Sequence, residues 1–270
     1  VKLLRRAWAF LEKDFRIDLS YRLAFLGNLV FVLFMVSAFY FLSRMLEGQD
    51  LPALKPYGGR YFPFVLTGVA FSSYLGVAVR TFAEAIRSAQ VLGTLEALLV
   101  TPTPVGQIIL LSSLYAFLAT SLRVVLTLAV GAVLFDVRFP DANWGGAVLV
   151  LALSVVTFSF LGILSASVVL AFKRGDPSAG LVQGLSYLLG GVYYPVAVLP
   201  EWAQLAAQGL PITHALEAIR RLLLQGASLG EAARPILGLV LFGVVAGPIA
   251  LGAFWFALRR VRRDGSLSQF

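Results

Sequence analysis

Residues able to do chemistry are scarce in this sequence, and the single histidine shares one stretch with three charged residues. His214, Glu217, Arg220 and Arg221 lie within "ITHALEAIRRLLLQ", at helical spacing. The chain has a single histidine and no cysteine. A two-histidine zinc helix, a thiolate cluster and a disulfide framework are therefore excluded. A histidine-dependent nucleophile would have to use His214, and no G-x-S-x-G elbow supplies a serine for it. The expected role of His214 is a hydrogen bond to Glu217, or plain exposure. Glu217 is expected to pair with Arg220 or Arg221, three and four residues on. The other candidate is Arg123, a lone cation in the apolar run "TSLRVVLTL". A charge inside a span faces protein or water, or reaches for the interface. A pathway role and a packing role both follow from its position.

The elements that must carry these residues are set by composition. Of 270 residues, 59% are hydrophobic and 13% charged, about half the charge of a soluble domain. That much apolar surface does not fit in one soluble core, so the fold class is all-α integral membrane. The formal net charge of +8 is then read as basic flanks and contact with anionic lipid, not as nucleic-acid binding. Six apolar stretches approach the roughly 20 residues a span needs: about 23–46, 61–81, 107–135, 145–172, 179–199 and 235–258. Lys and Arg are concentrated on the side of the N-terminus, which predicts both termini in the cytoplasm. An even number of spans agrees with that. The spans carry no Asp or Glu, which leaves a proton relay little to use and weighs against an ion-gradient-driven secondary transporter, the alternative reading. A multi-span enzyme lacks a constellation.

Three connecting regions stand out. Residues 1–22 place Leu3, Leu4, Ala7, Trp8, Leu11 and Phe15 on one helical face and basic residues around the rest. They lack a small-residue cleavage site and read as an amphipathic interfacial helix, not a secretory signal. Residues 82–106, on the inside, are helical by pattern up to Leu99 and stopped by Pro102 and Pro104. This short cytoplasmic helix carries Glu84, Arg87, Gln90 and Glu96. It fits a solvated tip of the second span or a docking knob for a soluble partner equally well. Residues 193–234, on the outside, follow a proline break yet keep an apolar face of Ile212, Ala215, Leu216, Ile219, Leu222 and Leu223. They predict a re-entrant segment capping the outer leaflet, since such backbone needs protein or a watery cavity around it. Gly180, Gly184 and Gly191 share one face, and Gly243 and Gly247 repeat the spacing; packing within the subunit is expected of both. Tyr187, Tyr193, Tyr194 and Trp202 are expected to form an aromatic belt.

With these pieces placed, the chain resembles the permeases of type 2 ABC exporters, the ABC-2 family. "SAQVLGTLEALLVTPTPVGQIIL" is similar to that family's cytoplasmic segment after the second span. "GGVYYPVAVLPEWAQLAAQGLPITHALEAIRRLLLQG" is similar to its signature region, and the amphipathic N-terminus also fits. The resemblance implies a membrane subunit of an ATP-driven exporter, in the inner membrane, paired with a second copy or a related permease. It also implies a docked ATP-binding subunit that holds ATP and magnesium, for which this chain needs no cofactor of its own. No Gly-Lys pair occurs in the sequence, so no phosphate-binding loop does either. The resemblance gives Glu84, Arg87, Gly93, Thr94, Leu95 and Glu96 to coupling, and Tyr194, Pro195, Pro200 and Glu217 to an extracellular gate. Phe71, Tyr74, Arg123 and Tyr187 are assigned to the route of an amphipathic cargo: a drug, a lipid or a lipid-linked molecule.

Overall fold

The computed structural model describes residue 12 and residues 22–91, 105–172 and 177–263. Among them are eight α-helices and no strand. They are α1 (Arg22–Met45), α2 (Tyr61–Val91), α3 (Val105–Phe135), α4 (Trp144–Phe172), α5 (Pro177–Leu189), α6 (Glu201–Gln208), α7 (Pro211–Leu224) and α8 (Ala233–Arg263). Two 3-10 turns, Pro52–Tyr57 and Val196–Val198, join α1 to α2 and α5 to α6. The interfacial helix expected over 1–22 lies outside the described residues, save Glu12, which is helical and exposed, and Arg22 at the start of α1.

Four helices, α2, α3, α4 and α8, are long and apolar enough to cross a bilayer. The apolar stretch Val30–Met45 of α1, and α5 with its 13 residues, are shorter. The architecture centres on α2, which touches α1, α3, α4, α5 and α7, while α4 bridges α2 to α8. Of the apolar windows, α2's is 78% buried, against 28% for α3, 33% for α4 and 22% for α8. The outer helices instead turn Phe34, Leu122, Val148, Leu241 and Val244 outward, the arrangement of a protein whose solvent is lipid.

Several polar side chains on the inner face of α4 bond to their own helix. Ser154, Thr157 and Ser167 of α4 each donate to the carbonyl one turn back, at 2.7, 2.9 and 2.7 Å. Small residues then let helices meet. A Cβ on Gly162 of α4 would lie 2.1 Å from the Ala78 carbonyl oxygen of α2, so only glycine permits this crossing. Gly243 and Gly247 of α8 pack on Thr157 and Phe160, as expected. Gly180 and Gly184 do not: a Cβ on either meets nothing within 4 Å, so the expected packing within the subunit is corrected for that pair.

Two boundaries differ from expectation. The second helix continues to Val91, past the expected end near residue 81, so the start of the 82–106 segment is the extension of the second span, one of its two readings. The cause is the absence of a breaker, the next glycine being Gly93. The inner face of the extension, Phe82, Ala83 and Ile86, packs on Ala166, Val169 and Leu170 of α4 and Ala257 of α8. The helix of the fifth apolar stretch ends at Leu189, ten residues earlier than expected. Gly191 there takes a left-handed φ of 78°, and the Pro195 ring follows, so the helix cannot continue.

Candidate functional site

The break after α5 is held by α7, and this junction gathers most of the residues singled out in the sequence. Pro211 opens α7 at its first turn, where its missing N–H costs nothing. The predicted apolar face of α7 is buried, with Ile212, Ala215, Leu216, Ile219, Leu222 and Leu223 at 2% exposure or less. It packs on α2, α4 and α8. Ile212 and Leu216 share one small crevice with Phe71 and Tyr74 of α2. Tyr74 lies about 20 Å along α2 from Tyr61, at 1.5 Å per residue. The short helix therefore reaches well down the bundle, beside a helix of lipid-crossing length.

Arg220 is the centre of the junction, and sequence reasoning missed its role. It is 3% exposed and does not pair with Glu217. Its guanidinium donates to the carbonyl oxygens of Gly191 at 2.7 Å, Val192 at 3.1 Å and Phe64 at 3.1 Å. Its Cζ lies over the Phe64 ring, 3.5 Å from the centroid. The broken backbone after α5 leaves carbonyls that no helix satisfies, and a planar five-donor fork suits them. Gly68 of α2 makes room: a Cβ there would lie 2.2 Å from the Val192 oxygen and 2.4 Å from Arg220 Nη2. The signal available beforehand was the pair of adjacent arginines, of which only one falls on the exposed side of the helix.

Glu217 pairs with Arg221, at 2.8 Å, and accepts a hydrogen bond from the Tyr57 hydroxyl. Burial, then the neighbouring Glu217 charge, raise the Tyr57 pKa, so the phenol remains a donor. The connection before α2 is thereby tied to α7. Tyr194 donates to the Leu188 carbonyl, Pro195 is buried, and Pro200 is exposed as the residue preceding α6. His214 is hydrogen-bonded through Nε2 to the Gln208 carbonyl at 2.8 Å, not to Glu217, which corrects that expectation. Its ring lies against Gly238 of α8.

The route residues divide. Phe71 and Tyr74 are core residues, Tyr74 donating to Ser121 at 2.8 Å. Tyr187 donates to the Ser72 carbonyl at 3.3 Å and is reached by Gln183, whose amide oxygen accepts two hydrogen bonds from Arg80. Tyr187 and Arg123 line one cavity of about 250 Å³ between α1, α2, α3 and the break after α5. Of the residues expected to serve coupling, Glu84 and Arg87 are exposed near the Val91 end of α2, the end away from Arg220. Gly93, Thr94, Leu95 and Glu96 lie outside the described residues. Trp202 is exposed, while Tyr193 stacks on Phe39 at 5.8 Å. Among the described residues no group of His, Asp or Glu could hold a metal ion.

A bundle that turns apolar side chains outward as well as inward, with four helices of lipid-crossing length, defines a polytopic membrane protein. A family model described as ABC-2 type transporter matches residues 4–224, and the chain belongs to that family. Its relatives include the inner membrane transport permease YadH of Escherichia coli strain K12, 28% identical over 165 residues, or 61% of this chain. The same permease of Escherichia coli O157:H7 and of Shigella flexneri matches equally. The match spans 63% of the length of those relatives.

Proposed function

We propose that this chain is the transmembrane permease subunit of an ATP-driven exporter that moves an amphipathic molecule out across the inner membrane. The chain crosses six times with both termini in the cytoplasm. In this reading α1 supplies the first crossing, and α5 with the turn after it supplies the fifth. Hydrolysis belongs to a separate ATP-binding subunit, and a second copy or a related permease completes the pathway.

The observation that carries the reading is the continuity of α2. Its 31 residues form one rod of about 46 Å. At one end Arg220 ties it to the break after α5; at the other, Glu84 and Arg87 stand exposed on a stretch braced against α4 and α8. A push on the Val91 end is thus transmitted to the junction through one packed helix. Glu84 and Arg87, with Gly93, Thr94, Leu95 and Glu96 beyond, dock the motor subunit. Tyr194, Pro195, Pro200 and Glu217 shape the outer gate, with α6 and α7 as its re-entrant helices. Arg123 and Tyr187 line the route, and Phe71 and Tyr74 support α7 behind it.

The test is charge reversal at Glu84 and Glu96 together in the reconstituted complex. Expected is ATP hydrolysis that no longer drives transport, with the permease still inserted and folded. Full coupling in that double variant would overturn the docking assignment.

A further inference from the structure

Arg123 is the one residue of the route whose charge the fold leaves unanswered. It is exposed on α3, and its guanidinium makes no hydrogen bond or ion pair among the described residues. Its backbone carbonyl accepts from the Thr127 hydroxyl at 2.8 Å. It cannot escape to water by extension. The apolar stretch of α3 runs from Ser113 to Phe135. At 1.5 Å per residue Arg123 is about 15 Å from one end and about 18 Å from the other, beyond the reach of its side chain. Nor do its neighbours offer a counter-ion nearby: α1, α3, α4, α5 and α8 contain no acidic residue, and Glu84 of α2 lies about three turns beyond Ser73 of the cavity wall.

The cavity into which Arg123 opens supplies the rest of the chemistry. Its volume, about 250 Å³, is just below the roughly 300–1,000 Å³ of small-molecule sites. Phe31, Phe39 and Leu66 give it an apolar wall; Tyr187, Tyr193 and Thr127 add hydroxyl-bearing side chains. The serines on the wall are already occupied, Ser72 and Ser73 donating to the carbonyls of Val69 and Ala70. One free cation in a greasy cavity selects a ligand with one anionic head and an apolar body.

We propose that this cavity binds an anionic amphipath, with Arg123 pairing to its phosphate or carboxylate head and the aromatic wall holding the start of its chain. The inference rests on the transport reading for its interest, since it names the class of molecule the route accepts. A resident anionic lipid and a transported anionic cargo share this chemistry.

The experiment measures binding to the purified full chain in detergent by native mass spectrometry, without ATP or a motor subunit. The probes are lysophosphatidylglycerol and lysophosphatidylcholine of equal chain length. The wild type is expected to prefer the anionic probe by about tenfold or more, the loss expected for one charge-assisted contact. Arg123→Gln abolishes that preference and Arg123→Lys keeps part of it. Val69→Trp, which fills the cavity and leaves the charge, weakens both probes. Equal binding of the two probes by the wild type overturns the proposal. So does a preference that survives Arg123→Gln, or undiminished binding in Val69→Trp. In proteoliposomes with the assembled transporter, export of the anionic probe that fails in Arg123→Gln identifies cargo. Unchanged export with loss of a co-purifying anionic lipid identifies a resident lipid. Because binding is read without the motor, failure here condemns this cavity alone, and full coupling in the Glu84 and Glu96 double variant condemns the docking assignment alone.

Discussion

Replacing Arg220 by methionine tests whether α7 is locked to the break or merely rests against it. The side chain donates to three carbonyls, of which Phe64's belongs to a regular helix and keeps its own partner. The groups orphaned in Arg220→Met are the Gly191 and Val192 oxygens, in a segment with no helix to satisfy them. Each buried orphan costs about 1–3 kcal/mol. Loss of the stack on Phe64 adds about 1 kcal/mol. Burying an arginine is itself costly, and that cost disappears in the variant. The net expected destabilisation is about 2–4 kcal/mol, or a fall of about 5–12 °C in the melting temperature. Arg220→Lys recovers less than half, because an ammonium cannot span carbonyls from two segments as a planar fork does.

A second substitution makes the test specific. Gly68→Ala pushes a methyl to within 2.2 Å of the Val192 oxygen and 2.4 Å of the Arg220 guanidinium, so it attacks the same lock from α2. It is expected to cost about 1–3 kcal/mol. The double variant should lose clearly less than the sum, since each change removes contacts the other needs. Thermal unfolding in one detergent, followed by tryptophan fluorescence, reads all four corners of the cycle. A melting temperature within about 1 °C of the wild type in Arg220→Met, or strict additivity with Gly68→Ala, would refute the lock.

Two further expectations follow from separate contacts. Gly162→Ala places a methyl 2.1 Å from the Ala78 oxygen and should lower stability by about 1–3 kcal/mol, whereas Gly184→Ala, beside open space, should change it by less than about 0.5 kcal/mol; thermal melts of the two side by side check this. Glu231 accepts from the Ser228 backbone N–H at 2.6 Å and from its hydroxyl at 2.8 Å, and these hold its pKa below the ordinary carboxylate value. The stabilisation from that contact is present above the unfolded pKa and is lost as pH falls through the depressed folded value; a carboxyl-carbon NMR titration should show the low midpoint, and Ser228→Ala should raise it.

The bundle was legible because lipid as solvent imposes long uninterrupted apolar runs, and those set the positions of α3, α4 and α8 within a few residues. Ends were less legible, for two opposite reasons. The α2 extension could not be read as continuous from hydropathy, because charge enters at Glu84 while the helix persists on the packing of Phe82 and Ile86. The fifth helix could not be read as short, because Tyr193 to Leu199 stays apolar after Gly191 has already turned the chain. Periodicity found the buried face of α7, yet it placed Arg220 and Arg221 alike as partners of Glu217. What separates them is a tertiary fact: carbonyls exposed by a break 28 residues earlier in the chain lie above one arginine and not the other.

The two arginines thus answer one question in opposite ways, and the difference lies in what α2 presents to each. Arg220 meets Gly68, the position where α2 has no side chain, and uses the clearance to reach backbone oxygens that would otherwise be orphaned. Its charge is consumed by the fold, so its removal should be felt as stability. Arg123 meets Val69, Ala70 and Ser73 across an open cavity, where α2 offers small side chains and no acceptor left unsatisfied. Its charge is left over, and its removal should be felt as lost ligand discrimination at nearly unchanged stability. The sequence pattern, which gives Arg220 an acidic neighbour at helical spacing and Arg123 none, does not show which charge the fold consumes. Comparing the melting temperatures and the anionic preference of Arg220→Met and Arg123→Gln does, and the reasoning requires that each variant fail in the measurement where the other holds.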